Sequence, residues 1–157
     1  MAPSTQKPES APSIQIFAGS DEPALAVCRE IRDRVFCQEQ GVSPELEWDG
    51  LDGQCSHLLA SVDGKALGTA RVRVLENSQI GKIERVAVYR HVRGQGIGTR
   101  LTEAACQLLR TLACNTAALN AQVSARDFYA ALGFKAQGEI FEDAGIPHIH
   151  MRKNLKP

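Results

Sequence analysis

Val88-Tyr89-Arg90-His91-Val92-Arg93-Gly94-Gln95-Gly96-Ile97-Gly98-Thr99 decides the fold of this chain. Before it, Lys82 to Val88 reads as a strand, with Ile83, Val86 and Val88 as packing residues. After it, Leu101, Ala104, Ala105, Leu108, Leu109 and Leu112 recur at three- and four-residue spacing, the stripe of an amphipathic helix ending near Asn115. A strand, a glycine loop and a helix thus follow in direct succession. Glycines at 94, 96 and 98 let backbone N–H groups converge on an anion without side-chain obstruction, and the helix N-terminus adds a favourable dipole. A diphosphate fits such a nest. Arg90 and Arg93 bring guanidinium donors to the loop, and Thr99 brings a hydroxyl from the first helical turn.

The loop also excludes ligands. It has no Gly-Lys-Ser/Thr ending, so the lysine and hydroxyl that serve a nucleoside triphosphate and its magnesium are missing. Gly-x-Gly-x-x-Gly fails as well, because the third residue after Gly98 is Leu101 and the preceding strands read as a hairpin rather than a parallel unit. A dinucleotide-binding enzyme therefore stays as the weaker alternative.

Outward from the loop, residues 1–12 are rich in Pro, Ser and Ala and read as a disordered tail, leaving 13–157 as one domain. Ile14 to Phe17 reads as a short strand. Ser20-Asp21-Glu22-Pro23 then caps a helix whose apolar stripe is Leu25, Cys28, Ile31, Val35 and Phe36. Periodicity fails from Gln38 to Gln54, an acidic loop with room for one helical turn. His57 to Val62 and Lys65 to Leu75 join at Asp63-Gly64, the signature of a two-residue hairpin. Ala117 to Ala121 is a further strand, Ala125 to Leu132 a helix closed by Gly133, and Phe134 to Phe141 with His148 to Arg152 a last strand pair. The order is mixed α/β, with neither repeat nor domain linker.

Composition narrows function. Eighteen basic and eighteen acidic residues cancel, which argues against nucleic acid or an anionic membrane as a partner held by charge alone. The first residues have no apolar core, and no apolar stretch approaches the ~20 residues of a membrane span, so the chain reads as soluble and cytoplasmic. Five cysteines without a Cys-x-x-Cys pair suggest reduced thiols, with Cys55 beside His57 the one pair that resembles a nucleophile and base. His148 and His150 share a strand face, but a third ligand at a recognised spacing is missing, so no metal is expected.

Two motifs together carry a family resemblance. Arg93-x-x-Gly96-x-Gly98 resembles the first signature of the GNAT N-acetyltransferases, in its usual place after a strand and before a long helix, and Phe128-Tyr129-Ala130-Ala131-Leu132-Gly133-Phe134 resembles their second. Val35-Phe36-x-x-Glu39-Gln40, Leu119-Asn120-Ala121-Gln122 and Gly145-Ile146-Pro147-His148 further resemble the ElaA-like branch of small bacterial members. The similarity covers nearly everything from residue 13 onward.

The resemblance implies a GNAT fold: a twisted, mostly antiparallel sheet of about seven strands with four helices, splayed between strands 4 and 5. Acetyl-CoA is the implied cosubstrate, its pyrophosphate on Arg93, Gly94, Gln95, Gly96, Ile97, Gly98 and Thr99. Its pantetheine is implied to run along Val86, Ala87 and Val88, with Asn120, Phe128 and Tyr129 on the facing side. A backbone N–H near Ala87 or Val88 would polarise the thioester carbonyl. Tyr129 matches the tyrosine that acts as general acid toward the CoA thiolate in many members. Glu84 and Glu39 are candidate bases for the amine, with His57 and His148 as neutral alternatives. Trp48 either walls the acceptor site or caps the core. The expected reaction is direct attack of a small-molecule or peptide amine, and the acids of residues 39–52 suggest that it is cationic. A non-catalytic acyl-CoA sensor is the other reading. The oligomeric state stays open, although edge strands in such sheets invite a homodimer.

Overall fold

Both faces of the central strands are apolar, so the sheet needs cover on both sides. In β2 (Ser56–Val62), Leu58 and Ala60 point into one core while Leu59 between them points into another. The first core takes Ile97, Leu101, Ala105 and Leu109 of α3 (Ile97–Thr111), and the second takes Leu25, Cys28 and Ile31 of α1 (Glu22–Arg32). The computed structural model describes residues 11–157, so most of the tail expected at 1–12 lies outside the described residues. Among the described residues four α-helices and seven strands make up the fold, the others being β1 (Ser13–Ala18), α2 (Pro44–Glu47), β3 (Lys65–Val74), β4 (Ile80–Val88), β5 (Thr116–Gln122), α4 (Arg126–Ala131), β6 (Lys135–Asp143) and β7 (Ile146–Asn154). The sheet order is β1-β2-β3-β4-β5-β7-β6, and every neighbouring pair is antiparallel except β4 with β5.

The expected hairpin at Asp63-Gly64 is present, with φ of 51° and 78°, the left-handed pair that a type I′ turn requires. Ala144-Gly145 repeats the device between β6 and β7, with φ of 53° and 75°. Several elements differ from the expectation. The first helix does not stay α-helical through Phe36 but widens into a π-helix over Asp33–Glu39, where the Gln40 N–H donates to the Val35 carbonyl at 3.2 Å. The long helix stops at Thr111 rather than near Asn115, because Ala113 turns left-handed (φ 63°). Strands β5 and β7 run longer than their apolar cores, since backbone pairing continues through the polar residues at their ends.

Strand β4 carries the decisive irregularity. Thr69 faces Ala87 and Arg71 faces Glu84, so β4 has one residue more than β3 between the two pairs. That bulge centres on Arg85, a non-glycine residue at φ 56°, a backbone state that costs about 1–3 kcal/mol. The Arg85 side chain holds the position: its guanidinium pairs with Glu47 at 3.0 Å and donates to the Glu47 carbonyl at 3.3 Å.

Beneath the bulge lies a buried ionic cluster. Arg32 and Arg71, each 1% exposed, meet at Asp52, with donor distances of 2.8 and 3.0 Å. Arg32 also donates to Glu47 at 2.8 Å, and Arg71 grips Asp49 through two nitrogens at 2.7 and 2.8 Å and Glu84 at 3.0 Å through Nε. Burial by itself would raise the Asp52 pKa, but the hydrogen bond and charge of Arg32, reinforced by Arg71 and Arg29, outweigh it and bring the group down to about 2. His57 is fully buried alongside, its Nε2 2.9 Å from the Asp52 carbonyl, and burial holds its pKa below the usual 6.5.

Replacing Asp52 by Asn leaves these arginines short of a counter-charge, and urea unfolding is expected to show a loss of about 3–5 kcal/mol, the usual cost of breaking a buried pair. Acid acts on the same cluster. Folded His57 resists the proton that its unfolded counterpart takes up below 6.5, and folded Asp52 resists protonation down to about 2, so both contributions are lost as pH falls. Unfolding free energy is therefore expected to decline gently below pH 6.5 and more steeply below pH 4, and a flat profile from pH 7 to 3 would contradict this account.

Candidate functional site

Strands β4 and β5 pair only over Ile80–Lys82 and Thr116–Ala118. Beyond those residues they part, and the gap opens a cleft of about 640 Å³ with Val86, Ala87 and Val88 on one wall and Leu119, Asn120, Ala121 and Gln122 on the other. Both walls present strand edges whose backbone groups are free on that side, the arrangement that an extended ligand can join by hydrogen bonding.

The glycine loop closes one end of the cleft. Gly94 and Gly96 have φ of 81° and 86°, and a Cβ on either would meet only open space, so conformation rather than crowding demands glycine there. Gly98 differs: its Cβ would lie 3.3 Å from the Phe128 ring. Gly96 is the N-cap of α3 and offers no side chain to the helix end, so the first amides of α3 face the cleft without an intrahelical partner. Thr99 lines the same end. Coenzyme A fits this site in its chemistry, because the uncapped amides and the open glycines suit a pyrophosphate and the parted strands suit an amide-bearing arm.

Arg93 is placed differently from the expectation. Its Nε donates to the Val88 carbonyl at 3.0 Å, and its two terminal nitrogens make a bidentate pair with Glu39 at 2.6 and 2.9 Å. The side chain thereby ties the loop to the π-helix and is not free for an anion, whereas the backbone amides are. The same pair occupies Glu39.

Glu84 is also held. Arg71, Arg73 and Lys82 converge on it, and although burial alone would raise its pKa, the Arg73 hydrogen bond and the Arg71 charge bring it below the usual carboxylate value. A carboxylate held by two guanidinium groups is a weak base. The acids Glu47, Asp49 and Asp52, expected to give the loop a negative field toward a cationic acceptor, are instead neutralised by Arg32, Arg71 and Arg85.

Trp48 stacks over the Arg32 guanidinium at 5.0 Å and borders a separate hollow with Arg29 and Asp52, so it caps the ionic cluster and does not wall the cleft. Cys55 is buried, its thiol directed to the Leu51 carbonyl at 3.1 Å and its pKa pushed up by burial, while the His57 ring is committed to Asp52. The two form no nucleophilic pair. Asn120 accepts from His150 at 2.9 Å, and no cluster of three metal-binding side chains occurs among the described residues.

Tyr129 and His148 both line the cleft. The phenol ring packs edge-on against Phe128 and Phe134 at 4.9 and 5.8 Å, and burial pushes its pKa up to about 12. His148 Nδ1 lies 2.7 Å from the Ile146 carbonyl, a contact that requires the proton on Nδ1 and leaves the lone pair on Nε2. The ring stacks on Phe141 at 5.9 Å, which fixes its plane.

Several lining residues had no role in the sequence reading. Asp143, at the β6–β7 turn, is a lining carboxylate without an arginine upon it among the described residues. Gln40 and Gln122 exchange two amide hydrogen bonds of 3.2 and 2.8 Å across the cleft. The doublet Glu39-Gln40 belongs to a family-like segment, but nothing in one dimension says that its two side chains reach different partners, Arg93 and Gln122.

This arrangement of parted strands, glycine loop and facing tyrosine defines an acyl-CoA-dependent transferase fold. Residues 24–155 match the model of the acetyltransferase (GNAT) domain, and the chain belongs to that family. It is 34% identical over 125 residues to YjcF of Bacillus subtilis, named an uncharacterized N-acetyltransferase, which spans 79% of this chain and 88% of that protein. Among solved structures, an acyl-CoA N-acyltransferase from Pseudomonas aeruginosa superposes with a TM-score of 0.80 at 32% identity, covering 91% of this chain and 99% of the other. Escherichia coli ElaA superposes with a TM-score of 0.81 at 26% identity, covering 92% and 100%.

Gly96→Ala tests the loop. A methyl group at φ 86° strains the N-cap, and the expected result is about a ten-fold rise in the Kd for CoA by calorimetry, equal to about 1.4 kcal/mol, with little change in melting temperature. An unchanged Kd would remove the loop from the binding site.

Proposed function

We propose that this protein transfers the acetyl group of acetyl-CoA to a primary amine by direct attack on the thioester, without a covalent enzyme intermediate. One observation carries the reading: the glycine loop, the parted strand edges, Tyr129 and His148 line a single continuous cleft. The loop amides and the α3 dipole hold the pyrophosphate, and the free edge of β4 orients the pantetheine arm. A β4 backbone N–H beside the bulge serves the thioester oxygen, an interaction whose loss typically costs 10² to 10³ in rate.

An alkylamine reaches the site mostly as ammonium, since its ordinary pKa is ~10.4. Asp143 attracts that charge, and the His148 Nε2 lone pair takes the proton, freeing the amine to attack; as the C–S bond breaks, CoA departs as thiolate and the nitrogen's second proton passes to water. Glu84 and Glu39 then act through structure: the first completes the Arg71 cluster under β4, and the second anchors Arg93. At the sulfur, Tyr129 stays protonated across the working pH range. With the phenol at about 12 and a thiol near ~8.5, full proton transfer to free thiolate is uphill, so the hydroxyl acts chiefly by hydrogen bonding to charge as it develops on sulfur.

The test is release of free CoA thiol from acetyl-CoA over a panel of primary amines. His148→Gln is expected to lower kcat by 10² or more, and Tyr129→Phe to lower kcat by about 10²-fold with the KM for acetyl-CoA little changed. Binding of acetyl-CoA with no turnover on any amine would favour a sensor instead.

A further inference from the structure

The acceptor end of the cleft holds a polar device that the transferase reading leaves without work. Gln40, just past the π-helix, and Gln122, the last residue of β5, are 82 residues apart in sequence and exchange two amide hydrogen bonds. Each primary amide has two N–H donors and two acceptor lone pairs. The reciprocal pair uses one donor and one lone pair of each, so one donor and one lone pair per residue remain in a half-buried cleft, with no further partner among the described residues. Polar capacity left over in such a place suits a ligand that both donates and accepts.

Position links the pair to the reacting amine. Gln122 and His148 are register partners on β5 and β7, so their side chains are direct neighbours on one face, with Cβ atoms about 4.5–5.5 Å apart in such pairs. A group hydrogen-bonded to the amides therefore sits beside the amine that meets His148. Charge then selects among groups. The cations lining this region are Lys82, Arg85 and Arg93, and each is already paired, with Glu84, Glu47 and Glu39 respectively. Among the described residues a free carboxylate on the acceptor would meet no unpaired cation in the cleft lining, which also holds Asp143. A neutral amide meets complementary donors and acceptors. Phe36, Val42, Leu46 and Ile146 add apolar surface to the lining of the same cleft, and Leu46 leaves 57% of its surface exposed.

Resting on the acetyl-transfer reading, we infer that the Gln40 and Gln122 amides recognise the acceptor, which is a primary amine whose neighbouring carbon bears a carboxamide and an apolar side chain. That chemistry belongs to an apolar amino-acid amide and to the N-terminus of a peptide.

Calorimetric titration of the CoA-loaded protein with L-leucinamide, 3-methylbutylamine and L-leucine tests it. Leucinamide is expected to bind at least ten-fold more tightly than the amine lacking the amide and than the amino acid carrying a carboxylate. In Gln40→Leu/Gln122→Leu that preference is expected to fall to near unity, with CoA affinity reporting that the fold is intact. Equal affinities in the unaltered protein, or a preference that survives in the double variant, would overturn the inference, and the first comparison stands whether or not the variant folds. Leu-Gly-Gly bound as tightly as leucinamide marks a peptide as the source, and a large loss marks a free amide; either agrees with the recognition proposed. The two readings fail separately: absence of thiol release with every amine sinks acetyl transfer and leaves the affinity ratios as measured, while equal affinities sink the recognition with turnover intact.

Discussion

Two arginines without access to water, Arg32 and Arg71, set the terms for the rest of the molecule. Removing a guanidinium from solvent is tolerable only when carboxylates surround it, and here those come from Glu47, Asp49, Asp52 and Glu84. Three of the four lie in the irregular stretch between the π-helix and β2, which has few apolar residues with which to bury itself. The ionic cluster fastens that stretch to the sheet. It also reaches the cleft, because Glu47 orients the arginine at the β4 bulge.

The bulge and the parting of the strands are connected. A residue inserted in one strand increases local twist and bends it. Strand β4 leaves β5 after Lys82, three residues before Arg85, and its free edge becomes a wall of the cleft rather than part of the ladder. The neighbour it lacks leaves an open strand edge facing the cleft. The fold thus builds its cleft from an unfinished sheet, which requires no cavity to be carved in either core.

Elements defined by local chemistry could be read directly from the chain. Asp63-Gly64 announces its turn, the Leu101 to Leu109 stripe announces its helix, and the alternating glycines announce the loop at that helix's N-terminus. What escaped that reading depends on residues far apart in sequence. Asp52 is 20 residues from Arg32, Arg71 is 13 from Glu84, and Glu39 is 54 from Arg93. As isolated letters, Glu39, Glu84 and the loop acids looked like available bases or an acidic field. Their partners make them structural counter-charges. The bulge escaped for a different reason: Arg85 has no intrinsic preference for a left-handed backbone, and tertiary pairing imposes it.

The widened helical turn at Asp33–Glu39 has one more consequence. Successive residues on an ordinary helix point about 100° apart, and the wide turn resets that phase just before two consecutive side chains reach for opposite banks, Glu39 to Arg93 and Gln40 to Gln122. The doublet therefore works as a clasp whose alignment is stored in a single surplus residue. Shortening the segment by one would rotate both hands off their holds together, so this stretch tolerates exchange of side chains more readily than any change of length.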